Sequence, residues 1–450
     1  MDTIVAVATS PGRSAIGIVR LSGRESLEIL RGLVHDQSFT PEPKKVTLKE
    51  IVRDSGEALD SALVCYFEGP HSFTGEDMVE VSCHGSPVIL RRVLDFTQSL
   101  GARLAEPGEF TLRACKNGKM NLSQAEAIRD LINARTDAAA VQAARQLKGE
   151  LSAALQPAKE KLIRIIVRLE SALEFVEDDL PEIQAEEIQK QLSEAVAIVK
   201  DLAATFATGR ALREGVKVTI VGRPNVGKSL LFNRLVGLAR AIVTEIAGTT
   251  RDTISESISL SGIPILVTDT AGIRIVDDEI ERIGVERTGQ AMADADLLVV
   301  VIDGSTNLAA EDLAIVTQAV CGRHVVAINK IDLGEQRGLG DHLGPTLRVV
   351  RVSALTGEGL EELTAAILEP FGAVDSETVG LLITDSRHYD LLQRTQASLE
   401  DSVELFRRAA SEEIVLVGLH SALRFLGEIT GEVTTDEILA QIFSTFCIGK

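Results

Sequence analysis

The run Gly222-Arg223-Pro224-Asn225-Val226-Gly227-Lys228-Ser229 constrains this chain more than any other stretch. It fits G-x-x-x-x-G-K-S/T, a turn whose backbone N–H groups close around phosphate oxygens at the start of a helix. Val216 to Val221 before it is an apolar run that reads as a buried strand, and Leu230 to Leu235 after it has a helical pattern. Strand, glycine turn and helix together predict an α/β unit that binds a nucleoside triphosphate. Lys228 would reach the β and γ phosphates and Ser229 would hold Mg²⁺. Val226, Gly227 and Leu230 belong to the same binding stretch.

Four further segments choose the base. Asp269-Thr270-Ala271-Gly272 closes an expected strand at Ile265–Thr268. An Asp there can hold Mg²⁺ through water, and the Gly272 N–H can meet the γ-phosphate. Gly248-Thr249-Thr250-Arg251-Asp252 lies where a switch loop would offer Mg²⁺ a threonine hydroxyl, that of Thr250. Asn329-Lys330-Ile331-Asp332 follows an expected strand at His324–Ile328. The Asp332 carboxylate would accept from both N1–H and the 2-amino group of guanine. Adenine offers neither donor, and such a mismatch is worth roughly 10⁴-fold. Ser353-Ala354-Leu355, after Leu347–Val352, completes the base pocket. Each segment alone has a structural explanation; N-K-x-D, for instance, also suits a loop with a helix cap. In this order, each at a strand's C-terminal end, where α/β sheets place ligands, they predict GTP.

Hydrolysis raises a separate question. Ile273 follows Asp-Thr-Ala-Gly, where many small GTPases carry a water-orienting Gln. Another group must orient water, and a cation must meet the charge that develops between the β and γ phosphates. Glu281 in Asp277-Asp278-Glu279-Ile280-Glu281-Arg282 is a candidate; a solvated helical charge is the alternative.

Three regions surround and include this unit, giving an α+β multidomain fold. Residues 1–118 alternate short β-like runs (Thr3–Ala8, Ile16–Leu21, Ala62–Phe67, Met78–Cys83) with a helix from Pro87 to Leu100, an α+β pattern. Residues 119–212 are amphipathic helices. Ser123-Gln124-Ala125-Glu126 reads as a capping box, and Pro157 as the start of a helix toward Phe175, broken at Glu177-Asp178-Asp179 and Pro181. Glu186 to Ala207 reads as another helix, ended by Gly209. A packed bundle is expected, rather than a coiled-coil rod. Residues 213–374 form the α/β P-loop domain. Residues 375–450 return to helix, the last one opened by Thr434-Thr435-Asp436-Glu437. The P-loop domain is therefore inserted in a discontinuous all-α domain.

Charge and composition narrow the function classes. The net charge is −20, from 66 acidic and 46 basic residues, which disfavours broad non-specific binding to nucleic acid. Trp is absent and aromatics are 3%, so stacking platforms for single strands are scarce. Cys65, Cys83, Cys115, Cys321 and Cys447 form no C-x-x-C pair and the His residues show no ligand spacing, which speaks against disulfides and a zinc site. A reducing cytoplasm is expected. No signal-peptide pattern opens the sequence, and no apolar run approaches the roughly 18 residues of a membrane span.

At this point the chain resembles the MnmE (TrmE) family of tRNA-modification GTPases, over essentially all its length. The carriers are Thr3-Ile4-Val5-Ala6 with Pro11-Gly12-Arg13, Phe73-Thr74-Gly75-Glu76-Asp77, Pro107-Gly108-Glu109-Phe110 and Leu122-Ser123-Gln124-Ala125-Glu126-Ala127. To these add Thr244-Glu245-Ile246-Ala247-Gly248-Thr249-Thr250-Arg251-Asp252 and the terminus Phe446-Cys447-Ile448-Gly449-Lys450. Era- and Der-type GTPases share the P-loop wording but lack this beginning and this tail. The resemblance implies an N-terminal folate-binding and dimerising domain, a discontinuous helical domain and an inserted G domain. It implies a homodimer whose GTP hydrolysis is activated by K⁺ when two G domains meet. Asn225, Thr244, Ile246 and Thr249 match the family's K⁺ ligands, and Glu281 its water-orienting residue. An apolar residue at Ile273 is also the family pattern. With Lys228, Thr250 and Gly272, Glu281 completes the implied catalytic set.

The implied task is adding a carboxymethylaminomethyl-type group to C5 of the wobble uridine in certain tRNAs. A partner resembling MnmG (GidA), in a heterotetramer or larger complex, would bring FAD and use NADH. The one-carbon unit would come from 5-formyl- or 5,10-methylene-tetrahydrofolate. Arg20, Glu80, Lys119 and Lys450 match the family's folate contacts; without the resemblance all four read as surface charges. No membrane role is implied. Cys447 has three readings: a prenylated cysteine, which the Gly449 and Lys450 that follow disfavour, an inert buried thiol, or a functional thiol near the folate. A different class of function, a ribosome-assembly switch, would not need the N-terminal set or the Cys447 tail. The C-terminal region also lacks the G-x-x-G loop of a KH module.

Overall fold

Side-chain alternation sets the first sheet. β1 (Ile4–Val7), β2 (Ile16–Ser22), β3 (Thr47–Val52), β4 (Ala58–Phe67), β5 (Met78–His84) and β6 (Arg103–Leu104) are ordered β3-β4-β5-β2-β1-β6. All neighbours are antiparallel except β1 and β6. Val19, Val81 and Val64 stand in one row and, with Val5, Leu21, Val79 and Tyr66, pack on the helices Ser26–Leu33 and Pro87–Ser99. The next row, on the opposite face, is Arg20, Glu80 and Cys65. Burying one such apolar side chain is worth about 1.5–3 kcal/mol. A one-residue slip would carry Arg20 and Glu80 into the apolar core, so the pattern holds the register.

The computed structural model describes residues 2–52, 56–174, 182–238, 240–241, 254–269, 291–336, 347–372, 380–433 and 436–449. The chain divides into two units, one of Met1–Arg129, Gln146–Ser152 and Arg424–Lys450, the other of Asp130–Arg145 and Ala153–Leu423. In the first, the helices Glu109–Lys116 and Asp436–Phe443 pack together, and Phe443 and Phe446 form a small core with Leu122 and Ala125. Among the described residues no helix is long and apolar enough to cross a membrane.

The second unit contains a seven-stranded sheet of β7 (Val216–Val221), β8 (Arg240–Ala241), β9 (Ile254–Leu260), β10 (Ile263–Asp269), β11 (Leu297–Asp303), β12 (His324–Asn329) and β13 (Val349–Arg351). Its order is β13-β12-β11-β7-β10-β9-β8, with β9 antiparallel to both its neighbours and every other pairing parallel. Leu297 through Ile302 are all buried, as a parallel strand covered on both faces requires. Helix Glu182–Ala204 packs against Ser386–Arg407. It buries Ile188, Leu192, Ala195 and Val199, spaced to line one face.

Three expectations need correction. Helix Leu122–Asn133 is capped by Asn121, not by a Ser123–Glu126 box. Asn121 Oδ1 accepts from the Gln124 N–H at 2.9 Å, and the Asn121 N–H donates to Gln124 Oε1 at 3.0 Å. Ser123 is already inside the helix, and its hydroxyl donates to Asn121 Oδ1. Pro157 does not start a helix but lies within Glu150–Glu174. Proline removes one backbone donor there, while Leu155, Ala158, Leu162, Ile165 and Leu169 on the buried face hold the helix together. Gly209 does not end a helix either. The longer helix stops at Ala204, and Gly209 sits inside Phe206–Glu214. A Cβ there would run into the Ile383 carbonyl, so glycine permits a close approach of the returning chain. The expected cap at Thr434-Thr435 lies outside the described residues.

Candidate active site

The strand-to-helix turn after β7 brings the P-loop residues together. Val221 ends the strand and Lys228 opens the helix Lys228–Leu238. Lys228 Nζ donates to the carbonyls of Gly222 at 2.7 Å and Arg223 at 2.8 Å, so the side chain folds back over the loop. Asn225 is exposed, with φ of 66°, a left-handed conformation that Asn adopts more readily than most residues. Val226 is buried, and Ser229 and Leu230 are exposed on the first helical turn. Gly227 has φ of 98°, and a Cβ on it would strike the Asn329 side-chain amide. Any larger residue at position 227 would therefore displace Asn329.

Asn329 is the brace between the two ends of the site. It is 1% exposed. Its Nδ2 donates to the Val226 carbonyl at 2.8 Å, and its Oδ1 accepts from the Ala354 N–H at 2.9 Å. One side chain thereby ties the P-loop to the Ser353-Ala354-Leu355 loop. Lys330 takes φ of 67° and its Nζ donates to Asp303 Oδ2 at 2.6 Å. Burial alone would raise the Asp303 carboxyl, but hydrogen bonds from Lys330 and Ser305 outweigh it and hold the group below its ordinary value. Asp332 is exposed and accepts from the Ser353 hydroxyl at 2.6 Å. Asp269, 1% exposed, ends β10 opposite Ile220 of β7, the strand that feeds the P-loop.

The sequence reading missed three supports. Asp303 holds Lys330. Arg223 donates to the buried Asp312 at 2.7 Å, and Asp312 also accepts from the Ala309 N–H at the start of helix Ala310–Ala319. Arg234 donates from Nε to the Ala354 carbonyl at 3.0 Å and from a second guanidinium nitrogen to the Leu355 carbonyl. None has a local sequence signature, because each partner comes from a distant strand end or loop. Thr244, Glu245, Ile246, Ala247, Gly248, Thr249, Thr250, Thr270, Ala271, Gly272, Ile273, Glu281 and Lys450 lie outside the described residues.

The charged face of the first sheet is a second cluster. Arg20 donates through Nε and a terminal nitrogen to Glu80 Oε1, at 2.9 and 2.7 Å, and to the Gly449 carbonyl at 3.3 Å. Its guanidinium lies about 6 Å from the ring centres of Phe73 and Phe110. Burial, then the Glu80 carboxylate, pushes the Cys65 thiol up. Lys119 Nζ donates to the Pro70 carbonyl at 2.8 Å, on the loop that carries Phe73. Arg20, Glu80 and the tail thus meet, whereas Lys119 reaches the neighbouring loop. Cys447 is exposed, and its carbonyl accepts from the Gly108 N–H at 3.4 Å.

Beside this face, the family-like residues Glu76 and Glu109 are bound into an ionic network. Arg113, 4% exposed, donates to Glu76, Glu109 and Asp2, and Arg103 donates to Asp2 and Glu109. These carboxylates hold the chain together.

Known proteins resemble the chain along its length. The MnmE helical domain family matches residues 122–447, and the family described as GTP-binding protein TrmE N-terminus matches residues 3–119. The tRNA modification GTPase MnmE of Aquifex aeolicus is 46% identical over 450 residues, covering 100% of both chains. That of Koribacter versatilis is 45% identical over 453 residues, covering 100% of this chain and 99% of its own. A crystal structure of Era with MgGDPNP and a segment of 16S ribosomal RNA is 29% identical, covers 41% of this chain and 66% of that one, and has a TM-score of 0.30. Because the relatives' identity spans the whole chain, and not the nucleotide-binding strands alone, the chain belongs to the MnmE family of tRNA-modification GTPases.

Proposed function

We propose that this GTPase binds guanine through Asp332, Ser353, Ala354 and Leu355 with Asn329 and Lys330, and the phosphates through Asn225 to Leu230. The observation that carries this reading is the Asn329 bridge, which ties the phosphate cradle to the base loop with two hydrogen bonds. The turn suits a phosphate chain: Gly227 takes a left-handed φ where a Cβ would strike the Asn329 amide, and Lys228 Nζ reaches over the loop to the Gly222 and Arg223 carbonyls. Glu245, Ala247, Gly248, Asp269, Thr270, Ala271 and Gly272 would complete the nucleotide contacts.

Ser229 and Thr250 would hold Mg²⁺, and Asn225, Thr244, Ile246 and Thr249 would hold K⁺, a positive charge placed where the β–γ bridge gains negative charge. Asn225 supports this reading, since it is exposed and held in the left-handed conformation within the P-loop. Glu281 would orient the attacking water, and two G domains would complete the site between them. The chain would work in the cytoplasm as a homodimer, with an MnmG-like FAD protein, on the wobble uridine of tRNA. Arg20, Glu80, Lys119 and Lys450 would hold a tetrahydrofolate, with Cys447 nearby. Glu80 suits the ligand's chemistry, offering a carboxylate to pterin N–H groups, and the acidic tail needs cations.

The test replaces NaCl by KCl at constant ionic strength and measures GTP turnover. A steep rise in K⁺ is expected, and Asn225→Ala should remove most of it while leaving GTP affinity in place. Equal wild-type rates in the two salts would sink the potassium reading. Full-length protein that binds no formyl-folate in a titration would remove the folate reading.

A further inference from the structure

We propose that Arg234 is a positioning residue for guanine recognition, holding the base-contacting loop from the phosphate end of the site. The inference rests on the reading of Asp332 as the guanine acceptor. Arg234 lies on the helix Lys228–Leu238, which starts at the phosphate cradle. Its two donors reach two successive carbonyls, those of Ala354 and Leu355. The planar guanidinium presents its N–H groups in a rigid fork, so it fixes the direction of that backbone as well as its distance.

From the other side, the Ala354 N–H donates to Asn329 Oδ1 at 2.9 Å. Ala354 is therefore held through its N–H by Asn329 and through its carbonyl by Arg234. Ser353, the preceding residue, donates its hydroxyl to Asp332 Oδ1 at 2.6 Å. Its own N–H is tied to the Glu358 carbonyl at 2.9 Å, and its Oγ accepts from the Thr356 N–H at 3.1 Å. The loop is a small rigid turn, and the Arg234 fork fixes its register against the P-loop helix. When that fork is lost, Ser353 drifts and the Asp332 carboxylate loses the alignment needed to accept two hydrogen bonds from one purine edge.

This mechanism has a signature that general loosening lacks. Inosine nucleotides carry N1–H but no 2-amino group, so they engage Asp332 once where guanine engages it twice. The ratio of GTP to ITP binding reads the alignment of that carboxylate, while a loosened fold weakens both alike. Full-length wild type, Arg234→Ala and Arg234→Lys are compared for GDP and IDP affinity, for kcat and KM with GTP and ITP, and for Tm. Arg234→Ala is expected to raise the Kd for GDP and the KM for GTP roughly tenfold, the scale of one lost charge-assisted hydrogen bond. It should leave kcat within about twofold and narrow the GTP-to-ITP ratio. Arg234→Lys, which keeps the charge but not the fork, should fall between. An unchanged ratio in both variants, or equal losses for GTP and ITP, overturns the proposal. Should Arg234→Ala fail to fold, the ratio in Arg234→Lys decides alone, and a wild-type ratio there overturns it. Wild type that does not distinguish GTP from ITP refutes the guanine role of Asp332 instead.

Discussion

Glu76 and Glu109 in the N-terminal sheet unit and Asp332 in the nucleotide unit are all motif carboxylates, yet their partners differ in kind. Glu109 accepts from Arg103, Arg113 and the Glu106 N–H, and Glu76 from Arg113 and the Ser22 hydroxyl. Asp332 is exposed and accepts from the neutral hydroxyl of Ser353. A carboxylate bonded to the buried Arg113 guanidinium is costly to unpair, because a buried cation would lose its partner. One at a rim, facing a hydroxyl, can exchange partners when a ligand arrives. The same residue type in an equally recognisable motif is therefore tied to arginines in one unit, while in the other it is left at a rim where the proposed guanine contact would need it.

Substitutions should separate the two roles. The largest effect is expected at Asp332→Ala, which should weaken GTP binding by roughly 10³–10⁴-fold and leave Tm unchanged, as read by nucleotide titration and thermal unfolding. A fall in Tm without loss of affinity would place Asp332 with the cohesive carboxylates. Arg113→Met should do the reverse. Stripping a buried cation from Glu76, Glu109 and Asp2 should cost about 3–5 kcal/mol in urea unfolding of the N-terminal unit, while the GDP affinity of the full chain stays the same. A parallel loss of GDP affinity would dissolve the contrast.

Acid titration probes the same network. Hydrogen bonds from Arg103 lead in holding Asp2 below its ordinary value. For Glu109 burial pushes upward, and Arg103, the Glu106 N–H and Arg113 outweigh it, leaving it lowered too. Folded values below the unfolded ones mean that this stabilisation is fully present above the ordinary carboxylate values, 3.8 and 4.5. It is lost as pH falls through the lowered folded values. The wild type should lose stability on acidification below about pH 4.5, and Glu109→Gln should flatten that slope; an unaltered slope would remove Glu109 from the network. The smallest effect is Asn121→Ala, expected to cost about 1 kcal/mol through the lost helix cap. No change in urea midpoint would show that the Asn121 cap does not contribute to stability.

Where the sequence was legible, the signal was local. Val216–Val221 is a strand with the bounds predicted for it; all but Lys217 are buried, as a parallel strand with covered faces requires. β10 and β12 each run one residue further than expected, to Asp269 and Asn329, so both motif residues are the last residues of their strands. β1, β2, β4 and β5 also appear where alternation put them, although β4 begins at Ala58 and not at Ala62, while β3 and β6 had no such prediction. The errors fell where two local signals compete. Ser123 and Asn121 are both good capping residues; Gln124, which completes the pair with Asn121, and the packing of Leu122 and Ala125 against Phe443 and Phe446 go with Asn121. Pro157 carries a strong start signal that the buried side of its helix overrides.

The sequence alone determined the order of strand, phosphate turn and base motif, and with it GTP as the nucleotide. Those depend on backbone conformations and residue chemistry within a few positions of one another. Tertiary structure alone decided which carboxylates are spent on arginines, why Gly209 must be glycine against the Ile383 carbonyl, and that Asn329 and Arg234 join the Ser353-Ala354-Leu355 loop to the P-loop and its helix. Each of these is a distance between residues far apart in the chain. Such distances follow from how sheets and helices pack, and no window along the sequence contains them.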